Sequence, residues 1–348
     1  MNVALVHRRF TEHGGTERFL VGLARFLRDR GHEVHVYCNE VRPDLCEEPG
    51  LRFHPLPMLR LGQLAKLLSL WWSSGRVRQG GHDVVMGFGR TRGHDVFRAG
   101  GGAHAVYLER CRPLWRLSPL AWIERALDRA AVRAAQVVVS PSALAGADLV
   151  SRYGLEPGRL RVVPNGVDSQ RFQLDSAARA RARESLGLGE GPVLCFLGTG
   201  FARKGLGEAV AVARNLGYPL VVIGRDRHIE RWRARFPEVR FLGAVTEPEA
   251  LLPAMDVLLL PTRYEPYGNV CLEAAACGVV PVTTPRNGVI EVLEAPELVG
   301  EGVHGLTVAT RRAIEGGEAL KLRMVSRARA LPRESAYLAV EKLFSEVV

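Results

Sequence analysis

The stretch Glu265-Pro-Tyr-Gly-Asn-Val-Cys-Leu-Glu273 decides the fold of this chain. It places two carboxylates eight positions apart, directly after the apolar run Val257–Leu260. The run predicts a buried strand, and the small apolar residues behind the first acid predict a helix. A helix that begins just after a parallel strand points backbone N–H groups at an anion. The stretch therefore predicts a binding site for a phosphate-bearing ligand, with one acid at either end.

Glu273 is the more informative of the two acids. We expect it about two turns into the helix, on the side that a ligand would contact. It lies inside the small, apolar run 270–280, where a carboxylate is costly unless something binds it. The alternative is a surface loop followed by an ordinary amphipathic helix. We expect Glu265 to hydrogen-bond a bound sugar and Glu273 to accept a hydrogen bond from a ribose or sugar hydroxyl. We expect the helix start at Gly268, Asn269 and Val270 to face the phosphates.

The rest of the chain alternates short β-rich runs with helical patterns. This alternation predicts parallel sheets connected by crossover helices, and 348 residues suit two such domains. The predicted strands are 3–6, 34–38, 84–86, 137–140, 193–197, 220–223, 239–242, 257–260 and 279–283. The predicted helices are 16–30, 119–135 and 207–215. Pro164-Asn-Gly166 and the polar stretch 171–190 indicate a hinge between the halves.

Four further segments follow one another in a recognisable order, namely Gly14-Gly-Thr-Glu-Arg18, Ser140-Pro-Ser142, Val163-Pro-Asn-Gly-Val-Asp168 and Gly198-Thr-Gly-Phe-Ala-Arg-Lys-Gly205. Together with the two glutamates, they resemble the retaining, two-domain glycosyltransferases of family 4, and the resemblance extends along nearly the whole chain. Within that family, Gly87-Phe-Gly89 and Asp95-Val-Phe-Arg-Ala-Gly100 are similar to the lipopolysaccharide-core glucosyltransferases.

The resemblance implies an α/β fold of the GT-B type, with two doubly wound Rossmann-like domains facing across a cleft. Residues 1–168 would form the acceptor-side domain, 169–331 would bind the nucleotide-sugar, and a helix within 332–348 would return to the first domain. The implied activity moves a hexose from a nucleoside-diphosphate sugar, with UDP-glucose favoured, to a hydroxyl of a glycolipid or lipopolysaccharide-core-like acceptor. Retention at the anomeric carbon would need no protein nucleophile.

Cations near the predicted phosphate site support this activity. Arg203 and Lys204 follow a strand and a Gly-x-Gly turn, where they would meet a diphosphate. Lysine is scarce in this chain, which has only Lys66, Lys204, Lys321 and Lys342. No Asp-x-Asp pair occurs in the sequence, so we expect these side chains to act in place of a metal ion, with no cofactor.

The remaining candidates lie at other predicted strand ends. Gly14 and Gly15 would let the backbone approach a ligand at the first strand-to-helix turn. Arg225 and Val245 follow later strands, and each could contact the base or ribose.

His104 follows three glycines, and the family often has a histidine in this region that contacts the donor sugar. We expect it in the catalytic or acceptor site, and a structural or solvated histidine is the alternative. Asp95 is a second acceptor-side candidate, which could instead cap local backbone.

Composition limits the other function classes. The longest apolar runs are too short for a membrane span, and the six cysteines form no Cys-x-x-Cys pair. We therefore expect a cytoplasmic protein. Residues 52–133 carry 14 basic and 5 acidic side chains, interleaved with aromatic and aliphatic ones. This pattern indicates an anionic acceptor or peripheral attachment to an anionic membrane surface, unless the arginines merely reflect the chain's composition.

Three rival functions remain. An NAD-dependent oxidoreductase would share the fold class, but no Gly-x-Gly-x-x-Gly opens the first helix. A nucleic-acid-binding protein would fit the sequence pI of about 9.7, but the chain contains no recognised nucleic-acid module. A sugar-nucleotide epimerase or phosphorylase of the same fold is the closest alternative, and a soluble acceptor is also open.

Overall fold

The computed structural model describes residues 1–12 and 14–348, which form two compact units. Unit 1 comprises Met1–Asn165 with Glu334–Val348, and unit 2 comprises Gly166–Arg333. Each unit has its own hydrophobic core and a parallel sheet flanked by helices. The predicted α/β class is confirmed. Within the described residues, no helix combines the length and the apolar character needed to cross a membrane.

Unit 1 is built on a seven-stranded parallel sheet with a separate two-stranded ladder beside it. The strands of unit 1 are β1 (Asn2–Val6), β2 (Arg9–Phe10), β3 (Glu33–Cys38), β4 (Glu40–Val41), β5 (Leu51–Pro55), β6 (Val84–Phe88), β7 (Val96–Arg98), β8 (Val137–Ser140) and β9 (Leu160–Val162). The main sheet has the order β5-β3-β1-β6-β7-β8-β9, and β2 pairs with β4. The strand order reverses at β1, so ligands are expected beyond the carboxyl ends of β1 and β6.

In the described part of unit 1, α-helices connect these strands. They are α1 (Gly15–Asp29), α2 (Gly62–Ser74), α3 (His104–Cys111), α4 (Pro119–Ala134) and α5 (Ala143–Tyr153). Ser118 caps α4 through its side chain and Pro119 follows at the first helical position, where the missing N–H costs nothing. Helix α1 buries one apolar face against the sheet, which fixes the turn that carries Gly14 and Gly15.

Unit 2 has a five-stranded parallel sheet. Its strands are β10 (Leu194–Leu197), β11 (Leu220–Ile223), β12 (Arg240–Gly243), β13 (Val257–Leu260) and β14 (Val280–Thr283), in the order β12-β11-β10-β13-β14. Its helices are α6 (Ser176–Ser185), α7 (Phe201–Lys204), α8 (Leu206–Leu216), α9 (Ile229–Arg235), α10 (Pro248–Leu251), α11 (Asn269–Ala276), α12 (Ile290–Leu293), α13 (Gly302–Glu315) and α14 (Gly317–Arg329). The strand order reverses at β10, beside β13.

The last helix, α15 (Arg333–Phe344), packs into the core of unit 1. Tyr337 contacts the ring of Phe19 edge-on, with the ring centroids 5.2 Å apart. Val340 and Phe344 are fully buried in the same core. Unit 1 is therefore assembled from both ends of the chain.

Candidate functional site

The candidate residues of unit 2 gather where β10 and β13 end. Arg203 and Lys204 lie in the short helix α7, which follows β10, and Glu265 lies in the loop after β13. One carboxylate oxygen of Glu265 accepts hydrogen bonds from Lys204 Nζ at 2.8 Å and from an Arg203 guanidinium nitrogen at 2.9 Å. Lys204 is buried and Glu265 is mostly so. The structure thus brings Glu265 together with Arg203 and Lys204, the two cations that the sequence assigned to the diphosphate.

The three charges are strongly coupled. Burial would raise the pKa of Glu265, but the adjacent Lys204 and Arg203 outweigh burial and lower that pKa to about 2. Glu265 is therefore ionised at neutral pH, and it holds two basic side chains together through one of its oxygens. Paired basic side chains are well suited to bind the oxygens of a phosphate.

Backbone packing holds the cationic turn against β13. Gly205 has φ +80°, and a Cβ there would lie 2.1 Å from the carbonyl oxygen of Pro261. The Arg263 N–H also donates to the Arg203 carbonyl at 2.9 Å. Because only glycine allows this approach, the position of Lys204 depends on the residue that follows it.

Helix α11 begins four residues after Glu265. The backbone of Glu265 is fixed on both sides, with its N–H donating to the Arg286 carbonyl and its C=O accepting from Gly288 N–H, both at 3.0 Å. Gly268 is the N-cap with φ +75°, and Asn269 and Val270 open the helix. The helix start therefore lies in the same loop as Glu265, as predicted.

Glu273 lies in α11, with about 8% of its surface exposed. The pKa of Arg171 is raised chiefly by its hydrogen bond to Glu249, and the negative charge of Glu273 contributes to the same shift. Arg171 also donates to the Thr246 carbonyl at 3.1 Å. Arg171 thereby links the segment that contains Val245 to the surroundings of Glu273.

The two remaining candidates of unit 2 lie beyond the same edge of the sheet. Arg225 has an exposed side chain, and its carbonyl accepts a hydrogen bond from Gly200 N–H at 3.2 Å. Val245 is half-buried in the segment after β12. Within the part of the chain that the structure describes, the Arg225 side chain has no polar partner, and the Val245 side chain is aliphatic.

Unit 1 contains a separate candidate site around His104. His104 is the first residue of α3 and borders a cavity of about 350 Å³, together with the three glycines before it. Its backbone N–H donates to Asp128 at 3.0 Å, and its Nε2 lies 3.2 Å from Glu124. The His104 contact is also the main reason why the pKa of Glu124 is lowered. His104 is thus held in one orientation beside the cavity.

Gly14 and Gly15 stand at the start of α1, and the next two residues, Thr16 and Glu17, line the cavity. Gly14 has φ +109°, and a Cβ there would lie 2.4 Å from a Glu17 carboxylate oxygen. The glycine turn thereby leaves room for Glu17, whose Oε1 lies 3.9 Å from Nε2 of His7.

Asp95 is not brought to His104. It precedes β7 at the amino end of the strand, with about 4% of its surface exposed. Its carboxylate pairs with Arg78 and accepts from Val85 N–H at 3.0 Å and from Gln136 at 3.1 Å. These bonds match the alternative interpretation, in which Asp95 caps local backbone.

The sequence did not indicate several residues around His104. His7, Glu17, Arg90 and Asp128 line the cavity, and Glu124 contacts His104 itself. Glu17 could have been predicted, because it lies in the segment Gly14-Gly-Thr-Glu-Arg18, directly after the two glycines and Thr16. No sequence pattern indicated Glu124, because its contact with His104 joins positions 20 residues apart on two helices.

Family models cover most of the chain. Residues 13–171 match Glycosyltransferase Family 4, and residues 191–321 match Glycosyl transferases group 1. A probable transglycosylase from Burkholderia thailandensis is 30% identical over 296 residues, which is 82% of this chain and 78% of the relative. The chain belongs to glycosyltransferase family 4. The lipopolysaccharide glucosyltransferase WaaG of Escherichia coli is 26% identical over 82% of this chain and 80% of its own.

Solved structures of other glycosyltransferases have the same fold as this chain. The crystal structure of WaaG superposes with a TM-score of 0.81 at 23% identity over 99% of both chains. A sucrose-phosphate synthase from Thermosynechococcus elongatus gives the same TM-score at 19% identity, covering 99% of this chain and 98% of its own. Anabaena HepE in complex with UDP-glucose gives 0.75 at 16% identity, covering 99% and 100%. These likenesses confirm the GT-B fold class for this family 4 glycosyltransferase.

Proposed function

We propose that this glycosyltransferase moves a hexose from a nucleoside-diphosphate sugar to a hydroxyl group, with retention at the anomeric carbon and without a metal ion. UDP-glucose is the favoured donor, and a glycolipid of the lipopolysaccharide-core type is the favoured acceptor. The observation that carries the proposal is the pairing of Glu265 with both Lys204 and Arg203 at the carboxyl ends of β10 and β13.

The donor is proposed to bind unit 2. Its diphosphate would lie against Arg203, Lys204 and the backbone N–H groups that open α11 at Gly268, Asn269 and Val270, because cations and helix starts both stabilise phosphate. Glu273 would accept a hydrogen bond from a ribose hydroxyl, since Glu273 lies on α11, the helix whose start would face the phosphates. Similarity to WaaG and to the fold of HepE, whose structure contains UDP-glucose, supports this choice of donor.

The reaction is proposed to proceed by front-face attack. The bond from the anomeric carbon to the phosphate oxygen breaks, the acceptor oxygen bonds to that carbon, and the departing phosphate takes the acceptor proton. Arg203 and Lys204 stabilise the charge that builds on the leaving phosphate, which makes electrostatic stabilisation the main contribution of the protein. Glu265 orients the two cations and accepts a hydrogen bond from a hydroxyl of the transferred sugar.

Unit 1 is proposed to bind the acceptor, with His104 at the reacting end. His104 is held by Glu124 and Asp128 beside a cavity that also contains glycine backbone, and such a cavity suits a sugar hydroxyl. We further propose peripheral attachment to an anionic membrane surface from the cytoplasmic side. The closest alternatives are a soluble acceptor and an epimerase or phosphorylase reaction at the same donor site.

The proposal is tested by calorimetry with uridine, UDP, UDP-glucose, GDP-mannose and NAD, in buffer with and without EDTA. We expect UDP and UDP-glucose to bind with EDTA present, and UDP-glucose to be consumed only when an acceptor is added. Binding of NAD alone would favour an oxidoreductase. Loss of transfer in EDTA, with rescue by magnesium or manganese, would contradict the metal-free mechanism.

A further inference from the structure

The segment between β12 and α10, residues 244–247, contains Val245, a candidate contact to the base or ribose. Strand β12 is the edge strand of the unit 2 sheet, with β11 as its neighbour. Val245 is half-buried, and the other residues of the segment up to Glu247 are exposed. A short, exposed segment beside an edge strand has few contacts of its own to fix its shape. Its position therefore depends on groups from other parts of unit 2.

One such group is the side chain of Arg171, which lies in a well-anchored turn. The carboxylate of Asp168 accepts from the backbone N–H groups of Gln170 and Arg171, both at 3.1 Å. The next residue, Phe172, is fully buried in the core of unit 2. From this turn the Arg171 guanidinium donates to the Thr246 carbonyl at 3.1 Å. The core of unit 2 is thereby connected to the segment 244–247.

Glu249, in the first turn of α10, orients the Arg171 side chain. Its Oε1 accepts from Nε of Arg171, while another nitrogen of the same guanidinium donates to Thr246. A guanidinium presents its donors in one rigid plane, so two bonds in different directions leave it little freedom to rotate. Arg171 and Glu249 therefore hold the segment 244–247 at both of its ends.

Several acids act on this guanidinium. The pKa of Arg171 is raised chiefly by its hydrogen bond to Glu249, and the charges of Glu273 and Asp168 add to that shift. Glu249 Oε2 is buried and, among residues 1–12 and 14–348, has no hydrogen-bond partner. Because such an oxygen is costly, the pair with Arg171 is needed to keep Glu249 in this place. The same cation acts electrostatically on Glu273, the acid that we propose for the ribose.

We propose that Arg171 and Glu249 form a positioning pair for the nucleoside part of the donor. The pair holds the segment 244–247 in the shape that contacts the base or ribose, and it keeps a positive charge near Glu273. Neither member of the pair contacts the donor itself. This inference rests on the proposed function. It separates the site into a nucleoside part that depends on Arg171 and a diphosphate part that depends on Lys204.

The test is calorimetry of the full chain with uridine and with inorganic pyrophosphate, which represent the two parts of UDP. Arg171→Met keeps an unbranched side chain but removes both hydrogen bonds. We expect it to weaken uridine binding about tenfold, comparable to the loss of one hydrogen bond to a charged group, and to leave pyrophosphate binding unchanged. Arg171→Lys retains the charge without the planar donors, so it should restore only part of the uridine affinity.

Arg179→Met is the matched control for the loss of a structural arginine. Arg179 is about as exposed as Arg171 and also bonds an acid and backbone carbonyls, namely Asp256, Pro253 and Met255. These partners lie at the amino end of β13, away from the candidate site. Arg179→Met should therefore lower the free energy of unfolding and leave the binding of uridine unchanged.

Glu249→Ala tests whether the two residues act as a pair. If Glu249 acts through Arg171, the double variant should bind uridine no more weakly than either single variant. Additive losses would overturn the inference, as would equal losses of uridine and pyrophosphate in Arg171→Met. Unchanged uridine binding in a folded Arg171→Met variant, or an equal loss in Arg179→Met, would do the same. Absence of UDP binding by the unaltered protein would instead contradict the proposed donor site.

Discussion

At the scale of single residues, one carboxylate determines the electrostatics of the proposed donor site. Glu265 accepts from two cations with the same oxygen, which keeps Arg203 and Lys204 close together despite their mutual repulsion. Without it, two like charges would face each other in a poorly solvated place, at a cost of several kcal/mol. The acid therefore has a structural task in addition to the contact that we propose with the sugar.

Lys204→Ala is expected to weaken UDP binding at least about tenfold and to leave uridine binding nearly unchanged, because the proposed partner of Lys204 is phosphate. Calorimetry with the two ligands measures this difference. Lys321→Ala is the matched control, since Lys321 forms an exposed pair with Glu318. Equal losses for UDP and uridine would remove Lys204 from the phosphate site.

Glu265→Gln is expected to lower the free energy of unfolding in a pH-dependent way. The pKa of Glu265 in the folded protein is about 2, below its ordinary value of 4.5. The stabilisation is therefore present above about pH 4.5 and is lost as the pH falls towards 2. We expect the free energy of unfolding of the wild type to exceed that of the variant by on the order of 3 kcal/mol at neutral pH. This difference should shrink in acid.

Denaturant unfolding between pH 7 and pH 3 measures this difference, with Glu315→Gln as an exposed control. A difference between wild type and Glu265→Gln that stays constant over this range would show that the carboxylate is not held ionised by its two neighbours.

At the scale of elements, the donor site depends on how closely α7 and α8 approach the end of β13. Gly205→Ala should disturb this approach, because the new Cβ would meet the Pro261 carbonyl. Gly217→Ala is the matched control. Gly217 also follows a helix and has φ +70°, but an added Cβ there meets nothing within 4 Å. Both variants should lose about 1 kcal/mol from backbone strain.

Only Gly205→Ala should also weaken UDP binding, since only that glycine holds Lys204 in position. Calorimetry and unfolding curves on both variants separate the two effects. Equal UDP affinity in the two variants would show that the turn does not position the cation.

The sequence predicted helices 16–30, 119–135 and 207–215 to within one residue of the ends of α1, α4 and α8. Strands 137–140, 220–223 and 257–260 match β8, β11 and β13, because their β-branched and aliphatic runs are flanked by clear breaks. The sequence analysis missed β5 and also β7 and β9, which have three residues each and too little periodicity to stand out. It also missed the long helices α13 and α14. Helix α2 was missed as well, because its outward-facing leucines do not give the pattern of a helix with one buried face.

The placement of the candidate site residues followed the same division. The meeting of Arg203, Lys204 and Glu265 could be predicted because each lies next to a recognisable strand end or glycine turn. Asp95 also preceded a strand, but at the amino end, and the sequence did not show that Arg78 and Gln136 would surround it. A contact between two residues that are far apart in the sequence leaves no local pattern. Glu124 was missed for the same reason.

At the scale of the whole molecule, the net charge of +10 is concentrated in unit 1. Arg125 lies over the rings of Trp115 and Trp122, and Arg112 and Arg116 are exposed beside them. Exchanging Arg112, Arg116 and Arg125 together for glutamate should release the protein from anionic vesicles, because each basic residue contributes about 1 kcal/mol near such a surface. UDP binding should persist.

Vesicle sedimentation at low and high salt measures this release, since salt screens the attraction. Changing Arg231, Arg233 and Arg235 of α9 to glutamate alters the net charge equally at another exposed site and should have little effect. Binding that is absent at low salt, or indifferent to lipid charge, would exclude the membrane surface as a partner.

The central claim is that this family 4 enzyme transfers a hexose with retention from a donor held by the α11 loop. Proton NMR of UDP-glucose with the enzyme and a heptose-bearing glycolipid tests it most directly. We predict loss of the donor signal, release of UDP and a new glucosyl signal of α configuration. Glu273→Ala should slow this at least ~10²-fold, a barrier increase on the order of 3 kcal/mol. A β-configured product, or unchanged turnover in a folded Glu273→Ala variant, would contradict the account.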